Sequence, residues 1–195
     1  MGHKLWISSI ASSVPILVAC HGGDPETIVP SVPLSTLEVR AAEATVPVEV
    51  PLAARSGSSL RGKATFAELE GGGVRVVVDV ADVSPGKHAV HVHEKGDCSA
   101  PDATSAGDHF NPEGHPHGLP GREPRHLGDF GNMDVKEDGT GHLEAVAPHA
   151  NLRPGDALSF LERSIVVHAK PDDGSQPSGA AGGRIGCGEI RRKGG

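Results

Sequence analysis

Three histidines lie within six residues of one another in the stretch HAVHVHEKGDC, which runs from His88 to Cys98. Side chains at i and i+2 of a β-strand project from the same face, so His91 and His93 would lie side by side on a strand. Imidazole is the commonest metal ligand in proteins, and such a pair could hold one ion. A solvated polar face on an edge strand is the alternative, and the short pattern alone does not decide between them.

Seven of the twelve histidines fall between His88 and His126, which makes metal binding a serious hypothesis. Three imidazoles and one carboxylate would satisfy tetrahedral zinc, and a closed site of this kind lets a metal hold a long loop that has no core of its own. A set of imidazoles alone favours copper in tetragonal geometry. The candidates for the zinc site are His109, His115, His117, His126 and Asp129, and those for the all-nitrogen site are His91, His93 and His168.

The elements that must position these residues are short strands. Glycine (27) and proline (16) are plentiful and aromatic residues make up only 3%, a composition typical of strands joined by many turns. Apolar and polar residues alternate in segments from residue 46 onward, with a hairpin predicted around Asp138 and Gly139 and the last strands within 157–169 and 186–192. Seven or eight strands without a convincing helix predict an antiparallel sandwich or barrel.

Two stretches have no strand pattern, residues 94–129 and 169–186. Loops of that length in a compact domain are usually functional or disordered. The first contains histidines, acids, a cysteine and prolines, so we interpret it as functional.

The first twenty residues, MGHKLWISSIASSVPILVAC, predict export. One lysine precedes an apolar stretch that is too short and serine-rich for a transmembrane helix, so residues 1–19 are interpreted as a signal peptide. The ending LVAC resembles the lipobox of bacterial lipoproteins, which would make Cys20 a lipid anchor; an ordinary secretory signal is the alternative. We expect residues 20–45 to form a tether, residues 46–195 to form the domain, and the protein to lie in the periplasm or cell envelope.

The cysteine count agrees with export. Three cysteines are an odd number for an oxidising compartment, and lipidation of Cys20 leaves Cys98 and Cys187 as a pair. The net charge of −7 gives no electrostatic footprint for nucleic acid. We expect the protein to contact a membrane only through the lipid on Cys20.

Six stretches together resemble copper/zinc superoxide dismutase of the exported bacterial type: HVHEKGDC, SAGDHFNP, PHGLP, RHLGDFGN, VVHAKPDD and GGRIGCG. They occur in the family's order, and the resemblance covers roughly residues 46–191. It implies a Greek-key antiparallel barrel or sandwich of eight strands with two long functional loops. A homodimer is one of the assemblies that it leaves open.

The resemblance also implies a role for each site residue. His109 would bridge the two metals and carry a proton to the product, and Arg184 would draw in the superoxide anion, with Lys170 assisting. His88 would be structural, and His115 has no counterpart. The remaining assignments are copper at His91, His93, His109 and His168; zinc at His109, His117, His126 and Asp129; Asp172 as hydrogen-bond partner of one histidine from each site; and a disulfide between Cys98 and Cys187.

The implied activity converts superoxide into oxygen and hydrogen peroxide as copper alternates between Cu(II) and Cu(I), while zinc stays structural. One alternative is a copper-binding or copper-delivery protein on the same fold without dismutase activity. Another is an adhesion module, which would leave the metal ligands unexplained.

Overall fold

The computed structural model describes residues 46–192 of the chain, and this part folds into eight β-strands. The signal peptide, the lipidated Cys20 and the tether that we predict for residues 1–45 lie outside that range. Within it, no helix has the length and apolar character needed to cross a membrane. The strands are β1 (Val48–Ala54), β2 (Arg61–Glu68), β3 (Val74–Ala81), β4 (Gly86–His93), β5 (Asp129–Val135), β6 (Gly141–Ala147), β7 (Ser164–His168) and β8 (Arg184–Glu189).

The strands close into a barrel in the order β1-β2-β3-β6-β5-β4-β7-β8, and every pair of neighbours is antiparallel. Because β3 pairs with β6 and β4 pairs with β7, the chain crosses between strands that are distant in sequence, as in a Greek key. Closure leaves no unpaired sheet edge. The predicted all-β fold class is confirmed.

One face of each strand fills the barrel. In β3, for example, Val74, Val76 and Val78 are fully buried while Arg75 faces solvent. All four phenylalanines of the chain meet in this core, where the ring of Phe160 lies 5.9 to 6.0 Å from the others in edge-to-face contacts. The other three rings belong to Phe66, Phe110 and Phe130.

The predicted hairpin around Asp138 and Gly139 is confirmed, since Lys136 N–H donates to the carbonyl of Thr140 (2.8 Å) between β5 and β6. The strand predicted within 157–169 is partly wrong, because β7 begins only at Ser164. Phe160 and Leu161 before it are buried in a turn rather than in a strand, since Arg163 N–H donates to the carbonyl of Phe160 (3.2 Å). Residues 148–163 therefore form a long connection that the sequence pattern did not reveal.

Two long connections carry the predicted site residues that lie outside the strands. We call residues 94–128, between β4 and β5, the first loop, and residues 169–183, between β7 and β8, the second loop. The first loop contains one short 3-10 helix, Thr104–Ala106. The predicted disulfide is confirmed and attaches this loop to the barrel, since Cys98 is bonded to Cys187 in β8, 89 residues further along.

Candidate metal centre

The barrel brings histidines from two strands and one loop to the same place. His91 and His93 share a face of β4 and are buried, and His168 ends β7, the strand paired with β4. The first loop returns to β4, where His109 forms an isolated β-bridge with His93. Backbone pairing therefore places His109 beside the strand histidines, although the loop around it has no regular structure.

One nitrogen from each of four buried histidines points into a first cluster. His93 Nδ1 donates to the carbonyl of Gly107 (2.9 Å), so its Nε2, which lies 3.3 Å from Nε2 of His168, carries a lone pair. Nδ1 of His168 faces the carbonyl of Gly182 (3.4 Å), so Nε2 of His168 carries a lone pair too. Two lone pairs at this distance repel each other unless a cation lies between them. The members of this cluster are His91, His93, His109 and His168, whose ligand atoms all lie within 4.8 Å of one another.

The second cluster adds a carboxylate. Asp129, the first residue of β5, accepts a hydrogen bond from Nδ1 of His109 (2.9 Å) and lies 2.9 Å from Nδ1 of His117. Its members are His109, His117, His126 and Asp129, again with all ligand atoms within 4.8 Å. His109 belongs to both clusters: its Nδ1 serves the second, which leaves Nε2 for the first.

Asp172, in the second loop, connects the two clusters. Its two carboxylate oxygens accept hydrogen bonds from Nε2 of His91 and Nε2 of His117, each at 2.9 Å. A neutral imidazole carries a hydrogen on only one of its two nitrogens. Because Nε2 donates to Asp172 in both rings, each ring presents an unprotonated Nδ1 to its cluster. Asn132 in β5 holds Asp172 in turn, exchanging hydrogen bonds of 2.7 and 2.9 Å with its backbone.

Several buried ring nitrogens have no hydrogen-bond partner, and their positions show whether metal ions would fit the two clusters. Among the described residues, four buried side-chain atoms lack a hydrogen-bond partner, and three of them are Nδ1 of His91, His117 and His126. A buried polar atom without a partner is costly, and in this position each could bind a cation instead. The residues present therefore fit one ion in each cluster.

Burial keeps these ligands in the form that binds metal. It lowers the pKa of His91 to about 4 and of His168 to about 3, and it lowers the pKa of His93 well below its ordinary value. The imidazoles are therefore neutral at pH 7. For Asp172, burial alone would raise the pKa, but hydrogen bonds from His91 and His117 outweigh it and lower the pKa to about 2.

The carboxylate of the second cluster is likewise ionised. Burial alone would raise the pKa of Asp129, yet this pKa is lowered because hydrogen bonds from His109 and from the backbone N–H of Gly118 favour the charged form. One anionic oxygen ligand therefore distinguishes the second cluster from the first.

A cavity of about 830 Å³ opens onto the first cluster and is lined by His93, His109, His168 and Arg184. The half-buried Arg184 begins β8, and its two terminal nitrogens donate to the carbonyls of Ala103 and Gly107, each at 2.7 Å. Gly107 thus fixes both Arg184 and His93 through one carbonyl oxygen. Two carboxylates, Glu94 and Asp108, also line the cavity.

Three other predicted residues lie outside the clusters. Both ring nitrogens of His88 lie 2.8 Å from backbone carbonyls, those of His168 and Ser84, so neither nitrogen is left for a metal. His115 points its Nδ1 at the carbonyl of Arg125 (3.2 Å). Lys170 is exposed and is not among the described residues that line the cavity.

Sequence reasoning did not identify Asn132 or the carbonyl of Gly107 as parts of the site. Asn132 is the last residue of the stretch RHLGDFGN that carries Asp129, and its half-buried amide in β5 could have been noticed there. The carbonyl of Gly107 belongs to the backbone, and no residue type signals it.

Two buried clusters that share one histidine, carried on a closed antiparallel barrel, form adjoining sites that could each hold a metal ion. The family model for copper/zinc superoxide dismutase (SODC) matches residues 60–190, and the chain belongs to this family.

Solved structures agree with this membership. The clock protein EA4 is 34% identical, with a TM-score of 0.67 over 74% of this chain and 93% of its own. A superoxide-dismutase-like protein from Bacillus subtilis is 33% identical, with a TM-score of 0.66 over 73% of this chain and 97% of its own. A double mutant of such a protein from B. subtilis, in which a tyrosine and a proline are replaced by histidine, is 34% identical with a TM-score of 0.66, over 74% and 97%.

Proposed function

We propose that this protein is a superoxide dismutase with copper in the first cluster and zinc in the second. The observation that carries the proposal is that His109 belongs to both clusters beside a cavity lined by Arg184. The chemistry that copper supplies when bound at His91, His93, His109 and His168 is reversible one-electron transfer, by which two superoxide ions and two protons become one oxygen and one hydrogen peroxide.

The donor atoms support this choice of metals. Four imidazoles without a carboxylate suit copper, which prefers nitrogen ligands in tetragonal geometry. Three imidazoles and one carboxylate suit tetrahedral zinc, whose four ligands leave no position for substrate. Zinc in the second cluster would therefore be structural and would orient His109.

Arg184 binds the substrate. Two of its five N–H groups are used on carbonyls, which fixes the guanidinium at the cavity wall and leaves other donors for an anion. Its charge attracts superoxide into a cavity that Glu94 and Asp108 would otherwise make negative.

His109 supplies a proton. Asp129 fixes its Nδ1 side, so Nε2 is the nitrogen that faces the first cluster and the cavity. Nε2 would carry a proton only while it is not bound to copper, and from there the proton has a short path to a reduced substrate in the cavity. His109 and Arg184 are accordingly the two residues that we assign to catalysis.

The substitution Arg184→Ala tests the proposal. We expect the rate of superoxide decay catalysed by the copper- and zinc-loaded protein to fall at least about tenfold, because electrostatic guidance contributes about 10–1000-fold to association. Arg122→Ala removes the same charge from an exposed position of the first loop and should change the rate little. A loaded protein without dismutase activity would instead favour the copper-delivery alternative.

We also infer that the protein is exported and anchored by lipid on Cys20, in the periplasm or cell envelope. The support is the sequence of residues 1–20. Cys20→Ala should move the protein from the membrane fraction to the soluble fraction and remove the lipid mass from its N-terminus. Membrane association that persists in this variant would contradict the anchor. A homodimer stays a prediction, which sedimentation of the metal-loaded protein tests.

A further inference from the structure

The second loop makes two hydrogen bonds to the backbone of His117. The side-chain amide of Gln176 accepts a hydrogen bond from His117 N–H (3.0 Å) and donates one to the carbonyl of His117 (2.8 Å). Among the described residues, His117 has no backbone partner for these two groups. Gln176 therefore satisfies both backbone groups of a residue that lies in neither a strand nor a helix.

The same segment also holds the ring of His117. Asp172 accepts a hydrogen bond from its Nε2 (2.9 Å), and Gly179 lies so close that a Cβ there would be 2.8 Å from that nitrogen. Gly179 has a φ of +73°, a conformation that favours glycine. Residues 172–179 thus fix His117 at three points, two on its backbone and one on its ring.

We propose that Gln176 is a positioning residue for the second cluster, holding His117 so that its Nδ1 faces Asp129 and binds zinc. With the backbone fixed by Gln176 and Nε2 fixed by Asp172, the ring can present only Nδ1 to the cluster. Outer partners that orient a ligand typically contribute about 10–100-fold to metal affinity. The inference rests on the proposed zinc site and assigns to that site a residue of the second loop.

Zinc affinity of the purified full chain, measured by competition with a chromophoric chelator, tests the inference. We expect Gln176→Ala to weaken zinc binding about tenfold, because both backbone hydrogen bonds are lost. Gln176→Glu should weaken it too, since a carboxylate accepts from His117 N–H but repels its carbonyl oxygen. Ser178→Ala is the control: this residue lies in the same segment and makes no side-chain hydrogen bond to any described residue.

Hydrogen exchange of the His117 amide gives a second readout that needs no metal. In the metal-free protein, this amide should exchange faster in Gln176→Ala than in the wild type, and at the wild-type rate in Ser178→Ala. Zinc affinity of Gln176→Ala within twofold of the wild type would overturn the inference.

The outcomes separate this inference from the proposed function. Loss of zinc affinity in Gln176→Ala, in a protein that does not dismutate superoxide, supports the positioning role and refutes only the activity. Unchanged affinity in an active enzyme refutes only the positioning role.

Discussion

At the scale of single residues, three histidine ligands of the two clusters have a close hydrogen-bond partner outside the clusters. His93 donates to a backbone carbonyl, and His91 and His117 donate to Asp172. These hydrogen bonds select one tautomer for each ring and aim its lone pair inward. Ligand geometry is thus set before any metal arrives.

Replacing Asp172 tests this tautomer selection. In Asp172→Asn, one of the two histidines faces an amide N–H instead of an acceptor oxygen, so its tautomer is no longer fixed. We expect copper and zinc affinities to fall about 10–100-fold, measured by chelator competition. Asp173→Asn is the matched control, because Asp173 is exposed and accepts from Ser175 rather than from a histidine. Equal affinities in the two variants would refute the role of Asp172.

The buried histidines also predict how stability depends on pH. In the metal-free protein, His91 and His168 have pKa values of about 4 and about 3, against an ordinary 6.5. The unfolded chain therefore binds protons first as the pH falls below about 6.5. The free energy of unfolding should drop between pH 6.5 and about 4 by up to about 3 kcal/mol per histidine, as urea titrations would show. Asp172 adds a further loss only below pH 4, because its pKa is lowered to about 2.

A flat stability profile between pH 7 and 4.5 would contradict this account. The His168→Gln variant serves as the control, since it removes one of the contributing groups and should reduce the slope.

Residue types and spacing predicted the histidines of the clusters, but not what holds them. The i, i+2 spacing of His91 and His93 is visible within one strand. The contacts of Gln176 with His117 and of Asn132 with Asp172 join residues 59 and 40 positions apart. Such pairs follow from the path of the loops, which no local pattern encodes.

At the scale of elements, the first loop has little internal structure and depends on attachments. The disulfide joins it to β8, Arg55 donates to the carbonyl of Cys98, and the bridge between His93 and His109 joins it to β4. Its other carbonyls orient Arg184. The loop therefore connects the metal site to the barrel at several separate points.

Removing the disulfide should weaken both the fold and the site. For the double variant Cys98→Ser/Cys187→Ser, we expect the free energy of unfolding of the metal-free protein to fall by up to about 4–5 kcal/mol, because the crosslink closes a loop of 89 residues. Urea unfolding under oxidising conditions measures the loss, and the reduced wild type is the control. Identical midpoints for variant and oxidised wild type would contradict the prediction.

Strand patterns predicted most elements correctly and failed in one. Alternation located β1, β2, β3 and β6, because each of these strands has one buried face. β4 is buried on both faces from His88 onward, and the turn before it located it instead. Residues 157–163 contain apolar side chains for a different reason: a turn buries Phe160 against the other aromatic rings. Burial alone does not distinguish the two cases.

At the scale of the whole molecule, the closed barrel is the frame that brings the two loops together. The sequence predicted the number of strands and their class, and the resemblance implied the Greek key. The strand order depends on pairings such as β3 with β6 and β4 with β7, which are distant in the chain. Metal ligands from β4, β5, β7 and the first loop meet only because of that order.

Metal binding should therefore stabilise the entire fold. Ions that bind only the folded arrangement raise its stability by mass action. We expect a chelator to lower the melting temperature of the metal-loaded protein, and added zinc and copper to restore it. In His109→Ala, which loses a ligand of both clusters, this shift should be much smaller. A melting temperature that does not respond to chelation would refute metal binding in the folded state.

The most direct measurement of the central claim is superoxide decay per bound copper, determined on purified protein loaded with copper and zinc and assayed for both metals. We expect one copper and one zinc per chain and a catalytic rate well above that of the same amount of free copper. A fully loaded protein whose rate does not exceed that of free copper would contradict the claim.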